Sequence, residues 1–245
     1  MSNTDPDSGM FYKTNKEKGF AYTAHTACDS NGMVLGVKVT SGNIHDIVMF
    51  KPLYEDICER ITTPDFIVAD AGYKSTAISH YFEATETQLV IPYRNKNKSK
   101  SAYRKSNFIY DKTEETYTCP EDNVMRPTTV NSEGQIVFRC KRGVCNKCPK
   151  KTECFSKSYS SRAVTRHIWA DAQDADDEFR KTSDGKFYYS GRKETVERVF
   201  ADGKEQHGMR YTRLRGIEKV TEEVYLLFGC MNLKKMMKRM ERMMA

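Results

Sequence analysis

The chain reads as an α/β protein with a cysteine-rich insertion, and three observations say so. Strand-like alternation opens the chain, short apolar runs then alternate with helical periodicity, and five of the eight cysteines crowd into one polar stretch after residue 110. From Gly19, residues Phe20, Tyr22, Ala24 and Thr26 alternate with Ala21, Thr23 and His25, which is the period of a strand. Asp29-Ser30-Asn31-Gly32 is a turn cluster, and Met33–Val39 resumes a β-rich run, so the two runs form a hairpin. Ile47, Phe50, Leu53, Tyr54 and Ile57 recur at helical spacing, with Pro52 at a first turn or a kink. Phe66–Ala69 is a continuous apolar run that delivers Asp70 to the C-terminal end of a buried strand. Tyr73–Phe82 then reads as a helix and Gln88–Pro92 as a strand, which makes the order β-β-α-β-α-β.

Residues 94–107 are polar and basic without apolar period and mark a boundary. Three parts follow: 1–100 as the N-terminal part of the core, 101–165 as a basic cysteine-rich insertion, and 166–245 as the return to the core. In the last part, Asp171–Glu178 is an acidic helix candidate, Arg192–His207 a second helix, Gly208–Gly216 a basic loop, and Ile217–Met244 a long Met-rich helix. Val220, Tyr225, Leu226, Leu227, Met231 and Leu233 are its expected packing residues.

The composition is 38% hydrophobic and 30% charged, and no apolar run approaches the ~20 residues of a membrane span. The first residues lack the basic start and apolar segment of a secretory signal, so a cytoplasmic protein with reduced thiols is expected. The net charge of +7 falls on the middle and C-terminal parts, a distribution that suits contact with phosphate.

Two places could carry chemistry. Asp70 stands where α/β sheets place ligands and metals, its alternative being a turn or N-cap aspartate. In the segment RKETVERVFADGKEQHG of residues 192–208, Val196, Phe200, Gly203 and His207 form a packing stripe. Lys193, Glu197 and Lys204 share a neighbouring face, which suits a metal and phosphate site or merely a solvated one. The stretches VADAGYKS around Asp70 and ETVERVFADGKEQHGMRYTRLRG around Glu197, with YTAHTACDSNGMVLGVKVTSGNIHD and CNKCPKKTEC, resemble bacterial insertion-sequence transposases of the DDE type, in the branch with a Cys-rich insertion.

The resemblance implies a ribonuclease H-like mixed sheet flanked by helices. It also implies DNA strand cleavage and transfer by three carboxylates on two divalent ions, Mg2+ or Mn2+, with element ends and target DNA as partners. Asp70 is then the second Asp and Glu197 the Glu, with Glu194 a weaker alternative. Lys193, Lys204, Arg192, Arg210 and Arg213 are the candidate phosphate-binding cations. Glu197 and Lys204 keep the family's spacing, whereas Tyr189 and Arg192 lie one residue upstream of it. Either Lys193 takes the Arg position or the helix starts differently.

In that family the first Asp sits on a strand upstream of the hairpin, and here only eighteen residues precede Gly19. Asp29 lies at the wrong end of the hairpin; Asp7 and Asp46 lie at the right end, but Asp7 is in a turn and Asp46 is expected to cap the following helix. An incomplete triad is therefore expected, with backbone groups beside Phe20–Thr26 left unpaired and a partner polypeptide or full-length transposase supplying what is missing.

Cys145-x2-Cys148-x5-Cys154, with Cys119 upstream, has the spacing of a structural zinc site, and Cys140 is the alternative ligand. Arg139, Lys141, Arg142, Lys147, Lys150 and Lys151 surround it and face phosphate or solvent. Cys28, Cys58 and Cys230 fall in apolar contexts and read as packing residues, no His is given a metal role, and Trp169 reads as a packing anchor or a stacking surface for a flipped base. The competing classes are a transposase fragment inactive alone, a zinc-containing DNA-binding regulator of transposition, and the product of a decaying gene.

Overall fold

A computed structural model describes residues 2–12, 18–92, 103–155 and 159–244. It divides into two compact units, one of Met1–Pro92 with Ala175–Ala245 and one of Tyr93–Asp174. The inserted unit therefore reaches further than 101–165, because Arg166 pairs with Asp171 and Asp174 and draws the start of the next helix into it.

The first unit is built on a hairpin of β2 (Lys18–Cys28) and β3 (Val34–Ser41), antiparallel from Tyr22↔Ser41 to Cys28↔Val34. Asp29 closes the turn by accepting from the Asn31 and Met33 amides, and Gly32 supplies its positive φ of 73°. That role, at the hairpin tip, removes Asp29 from any site at the other end. A short β1 (Gly9–Tyr12) lies antiparallel on β2, from Gly9↔Ala21 to Tyr12↔Lys18. Pairing on that side stops at Ala21, and among the described residues no strand continues it along Tyr22–Cys28. The expected open row of backbone groups is thus shortened at its start by β1.

Helix α1 (Ile47–Arg60) carries Pro52 inside and buries Phe50, Leu53, Tyr54 and Ile57. Strands β4 (Phe66–Val68) and β5 (Gln88–Val90) form a separate parallel pair, with α2 (Thr76–Glu83) between them in sequence. Phe50, Tyr54, Ala69, Ile78, Phe82, Leu89 and Ile91 make one core. The helix expected from Tyr73 begins only at Thr76. Asp70 first caps a single 3-10 turn, Ala71–Tyr73, and Ser75 then caps α2 through the Ile78 amide.

The chain returns through α5 (Ala170–Phe179), α6 (Ser183–Ser190), α7 (Val196–Gln206) and α8 (Ile217–Met244). Helix α6 was not anticipated; Thr182 caps it, and its Tyr188 stacks on Phe66 at 4.1 Å between ring centroids. A 3-10 turn, Gly191–Lys193, separates α6 from α7, so the helix expected from Arg192 starts at Val196. Of the expected stripe, Gly203 is buried and Phe200 packs against the core, whereas Val196 and His207 are only partly covered and the fully buried residue is Val199. Val199 packs with Val37 and with Val220, Val224, Phe228 and Met231 of α8. Tyr225, Leu226 and Leu233, expected to pack, are exposed, because four-residue steps from Val220 select the other side of the helix. Cys58 packs at the edge of the first core, whereas Cys230 is exposed instead of packed.

The second unit is a five-stranded antiparallel meander, β6 (Ile109–Asp111), β7 (Thr116–Thr118), β8 (Val124–Val130), β9 (Gln135–Arg139) and β10 (Ala163–His167), in sequence order across the sheet. Two short helices, α3 (Arg142–Lys147) and α4 (Lys151–Cys154), lie between β9 and β10. Phe108, Tyr117, Met125, Phe138 and Val164 form its core together with Cys140 and Cys145. No helix among the described residues is long and apolar enough to cross a membrane.

Asp176 of α5 is largely buried and leaves one carboxylate oxygen without a partner among the described residues. Burial pushes its pKa up to about 6, against a hydrogen bond from Ser79. A raised carboxylate stabilises the fold fully below its unfolded pKa of about 4, and that contribution is lost as pH rises through about 6. Asp176→Asn is therefore expected to raise the melting temperature at pH 7.5 and to change it little at pH 4, as measured by thermal melts at both values.

Candidate functional site

Asp70 uses one carboxylate oxygen to cap the 3-10 turn through the Ala71 amide. The turn-aspartate reading and the functional one are thus compatible, because the other oxygen is turned to Arg192, whose Nη2 stands 3.4 Å away. The same nitrogen lies 3.1 Å from Glu197 Oε1. Two half-exposed carboxylates, one just after β4 and one in α7, therefore converge on one guanidinium that is itself only 16% exposed. Arg192 also donates to the Tyr189 hydroxyl at 3.3 Å, and Arg180 stacks over that ring.

The 3-10 turn explains how Arg192 gets there. Between the end of α6 and the start of α7 the chain is not a continuous α-helix, so residue counting along it fails by one position. Arg192, not Lys193, faces Glu197, while Lys193 and Glu194 are exposed. Arg192 is consequently no open phosphate binder. Lys204 and Arg213 are exposed, and Arg210 is paired with Glu205.

Asp46 departs most from expectation. It occupies the cap position of α1 but makes no side-chain cap bond. Its carboxylate lies 3.7 Å from His25 Nδ1 and so close to Gly72 that a Cβ there would come within 3.0 Å of Oδ2. His25 is buried, with Nε2 3.0 Å from Thr40 Oγ1 and Nδ1 3.3 Å from the Tyr73 hydroxyl. Burial holds its pKa below the usual histidine value although Asp46 opposes this, so the ring is neutral at pH 7. Tyr73 is pushed well above an ordinary phenol by burial and by the charges of Asp46 and Asp70. Asp7 is otherwise engaged, accepting from the Ile217 amide at the start of α8. Among the described residues no three His, Cys, Asp or Glu side chains stand close enough to hold a metal ion.

Residues 118–237 match the model of a protein family described as the transposase DDE domain. This stretch is a transposase DDE domain. It contains Glu197, Arg192, Lys204 and the cysteine-rich segment, and it begins beyond Asp70. No curated protein and no solved structure matched the chain. DDE transposases act on DNA and use divalent metal such as Mg2+, and the donors here suit a hard cation, since two solvent-reachable carboxylates already share a positive charge.

Arg192 competes with any such cation. The carboxylates of both pairs are about half exposed, and such pairs are each worth about 0.2–1 kcal/mol, so Arg192→Gln is expected to tighten Mn2+ binding by roughly two- to tenfold, read from the free Mn2+ signal in electron paramagnetic resonance.

Proposed function

We propose that the chain is a DDE-type transposase that lacks the first of its three catalytic aspartates and does not cut DNA alone. The observation that carries this reading is the meeting of Asp70 and Glu197, from distant parts of the chain, on the single guanidinium of Arg192. Asp70 and Glu197 would hold the metal, Mg2+ or Mn2+. When bound, it supplies activation of water or a 3′ hydroxyl and stabilisation of the leaving oxygen. Arg192 neutralises the two carboxylates and keeps them together. Lys193, Lys204 and Arg213 are free of the carboxylate cluster and exposed, and they hold DNA phosphates by charge. A structural zinc in the cysteine-rich unit is the second metal of this reading.

The missing Asp belongs on a strand that would pair with β2. The side of β2 that lacks a partner among the described residues from Tyr22 to Cys28 supports this placement, and Asp46 sets a carboxylate over Gly72, near the Asp70 turn, without completing a metal-holding set. The protein works in the cytoplasm on element ends and target DNA, with the segment bearing the missing strand or a full-length transposase as partner. The second reading, a DNA-binding regulator without catalysis, is favoured by Arg139, Lys141, Arg142 and Lys147, which lie exposed on the cysteine-rich unit.

The test is nicking of supercoiled plasmid in Mn2+ by the chain alone and by the chain co-expressed with the polypeptide encoded immediately upstream of the Met1 codon. The expected result is salt-sensitive DNA binding in both, nicking only in the second, and loss of that nicking in Asp70→Asn and in Glu197→Gln. Nicking by the chain alone overturns the incomplete triad. Nicking that survives Asp70→Asn overturns the catalytic assignment, and DNA binding without nicking in either preparation establishes the regulator instead.

A further inference from the structure

Helix α8 has two apolar faces. Val220, Val224, Phe228 and Met231 pack with Val37 and Val199, and among the described residues beyond Met231 none of the helix is buried. On the opposite side Leu226, Cys230, Leu233, Met237, Met240 and Met244 are all exposed, the leucines and methionines by more than half. Their spacing is four, three, four, three and four residues, the period that keeps a seam facing a partner while two helices wind around each other. Tyr225, Met236 and Met243 widen the seam, each half exposed or more. So many large apolar side chains along one face exceed the few hundred Å² that monomers leave contiguous, and approach the ~800 Å² that each partner buries in a standard interface.

The placement of charge says what covers this face. Lys235, Lys238, Arg239 and Arg242 lie on the side of α8 turned away from the seam, so a second α8 can approach without bringing these cations together. The same placement disfavours an anionic surface as the occupant, since the seam would meet it first and the cations would point away. Of the positions flanking the seam, one side carries Lys234 and Glu241 and the other Gly229, Met236 and Met243. In a parallel, in-register pair each flank meets the opposite flank of the other helix five residues along. Lys234 then stands beside Gly229 of the second copy and Glu241 beside Met236, with no like charges opposed. An antiparallel pair that engages the whole seam would instead set Lys234 against Lys234. The residues that dock α8 on its own unit lie on the outer side of such a pair and leave the seam clear.

We propose that α8 pairs with α8 of a second copy of this chain as a parallel two-stranded coiled coil from Leu226 to Met244, with Cys230 facing Cys230 of the second copy. Three of the six seam residues are methionine, which packs adaptably and specifies less sharply than leucine, so the association is concentration-dependent. This goes beyond the proposed function and does not rest on it, because neither DNA nor the carboxylates enter.

The test is sedimentation equilibrium of the full chain, kept reduced, over a concentration series. A monomer–dimer equilibrium is expected, weakened roughly tenfold or more in the double variant Leu233→Glu, Met237→Glu, which puts charge into the seam while changing only exposed residues. A short bis-maleimide is expected to join two wild-type chains and to fail with Cys230→Ser. A wild type that stays monomeric throughout overturns the proposal, and so does a dimer that survives the double variant. A monomer that co-sediments with phosphatidylserine vesicles, and loses this in the double variant, gives the seam to a lipid surface instead. A dimer sensitive to the double variant but not joined through Cys230 overturns the parallel direction. Where the double variant fails to fold, the wild-type equilibrium and the cross-link at Cys230 decide.

Discussion

Both faces of the β2–β3 hairpin have to be covered, and the first unit is organised around that requirement. Adjacent strand residues point to opposite faces, so Gly36 and Val37 demand different partners. At Gly36 the bare backbone lets Leu53 and Ile57 of α1 come close, and a Cβ would meet Leu53 at 3.0 Å. Val37 turns the other way into the core with Val199 of α7 and Val220, Val224 and Phe228 of α8. Asn232 of α8 adds to this by bonding both the amide and the carbonyl of Val34, doing for the start of β3 what a neighbouring strand would do. The C-terminal helices are therefore obligatory parts of a fold begun far upstream, and their docking brings the front of α7 to Asp70.

Apolar burial and charge divide the work unequally. Each fully buried Val, Phe or Met contributes about 1.5–3 kcal/mol, so Val199 and its neighbours outweigh the ion pairs of Arg192, each worth about 1 kcal/mol or less. Packing decides that the two carboxylates meet, and Arg192 decides how they stand when they do. Lys74 is the exception among the charges. It is 7% exposed and bonded to Asp177, so removing Asp177 leaves a buried charge uncompensated, close to the largely buried Asp176.

What was legible in the sequence follows the range of the forces involved. The alternation from Gly19 to Val39 and the apolar run before Asp70 are local signals, and they announced β2, β3 and β4 because a half-buried sheet imposes period two. The cysteine spacing pointed to one place, and Cys119, Cys140, Cys145, Cys148 and Cys154 line one cavity there, without any three described ligand side chains standing close enough to hold a metal ion. Helix faces were misjudged where tertiary contact chose among apolar residues: Val199 over Val196, and Val224 and Phe228 over Tyr225 and Leu226. Asp46 was misjudged for the same kind of reason. A cap is a local preference, whereas the attraction of His25 and the space over Gly72 come from distant chain. Helix α6 escaped notice because SDGKFYYS has almost no apolar period, and its place is set by Tyr188 stacking on Phe66.

The turn at Gly191–Lys193 bears on how relatives of this chain are sought. A text pattern that demands an arginine at a set count before the glutamate would reject this protein, although its guanidinium reaches the glutamate in space. The chain between Arg192 and Glu197 is a 3-10 turn followed by a break and a new helix start, so the letter count along it does not fix which side chain meets the glutamate. Screening of genomes with a one-letter slip permitted just ahead of the glutamate would recover members that string matching discards.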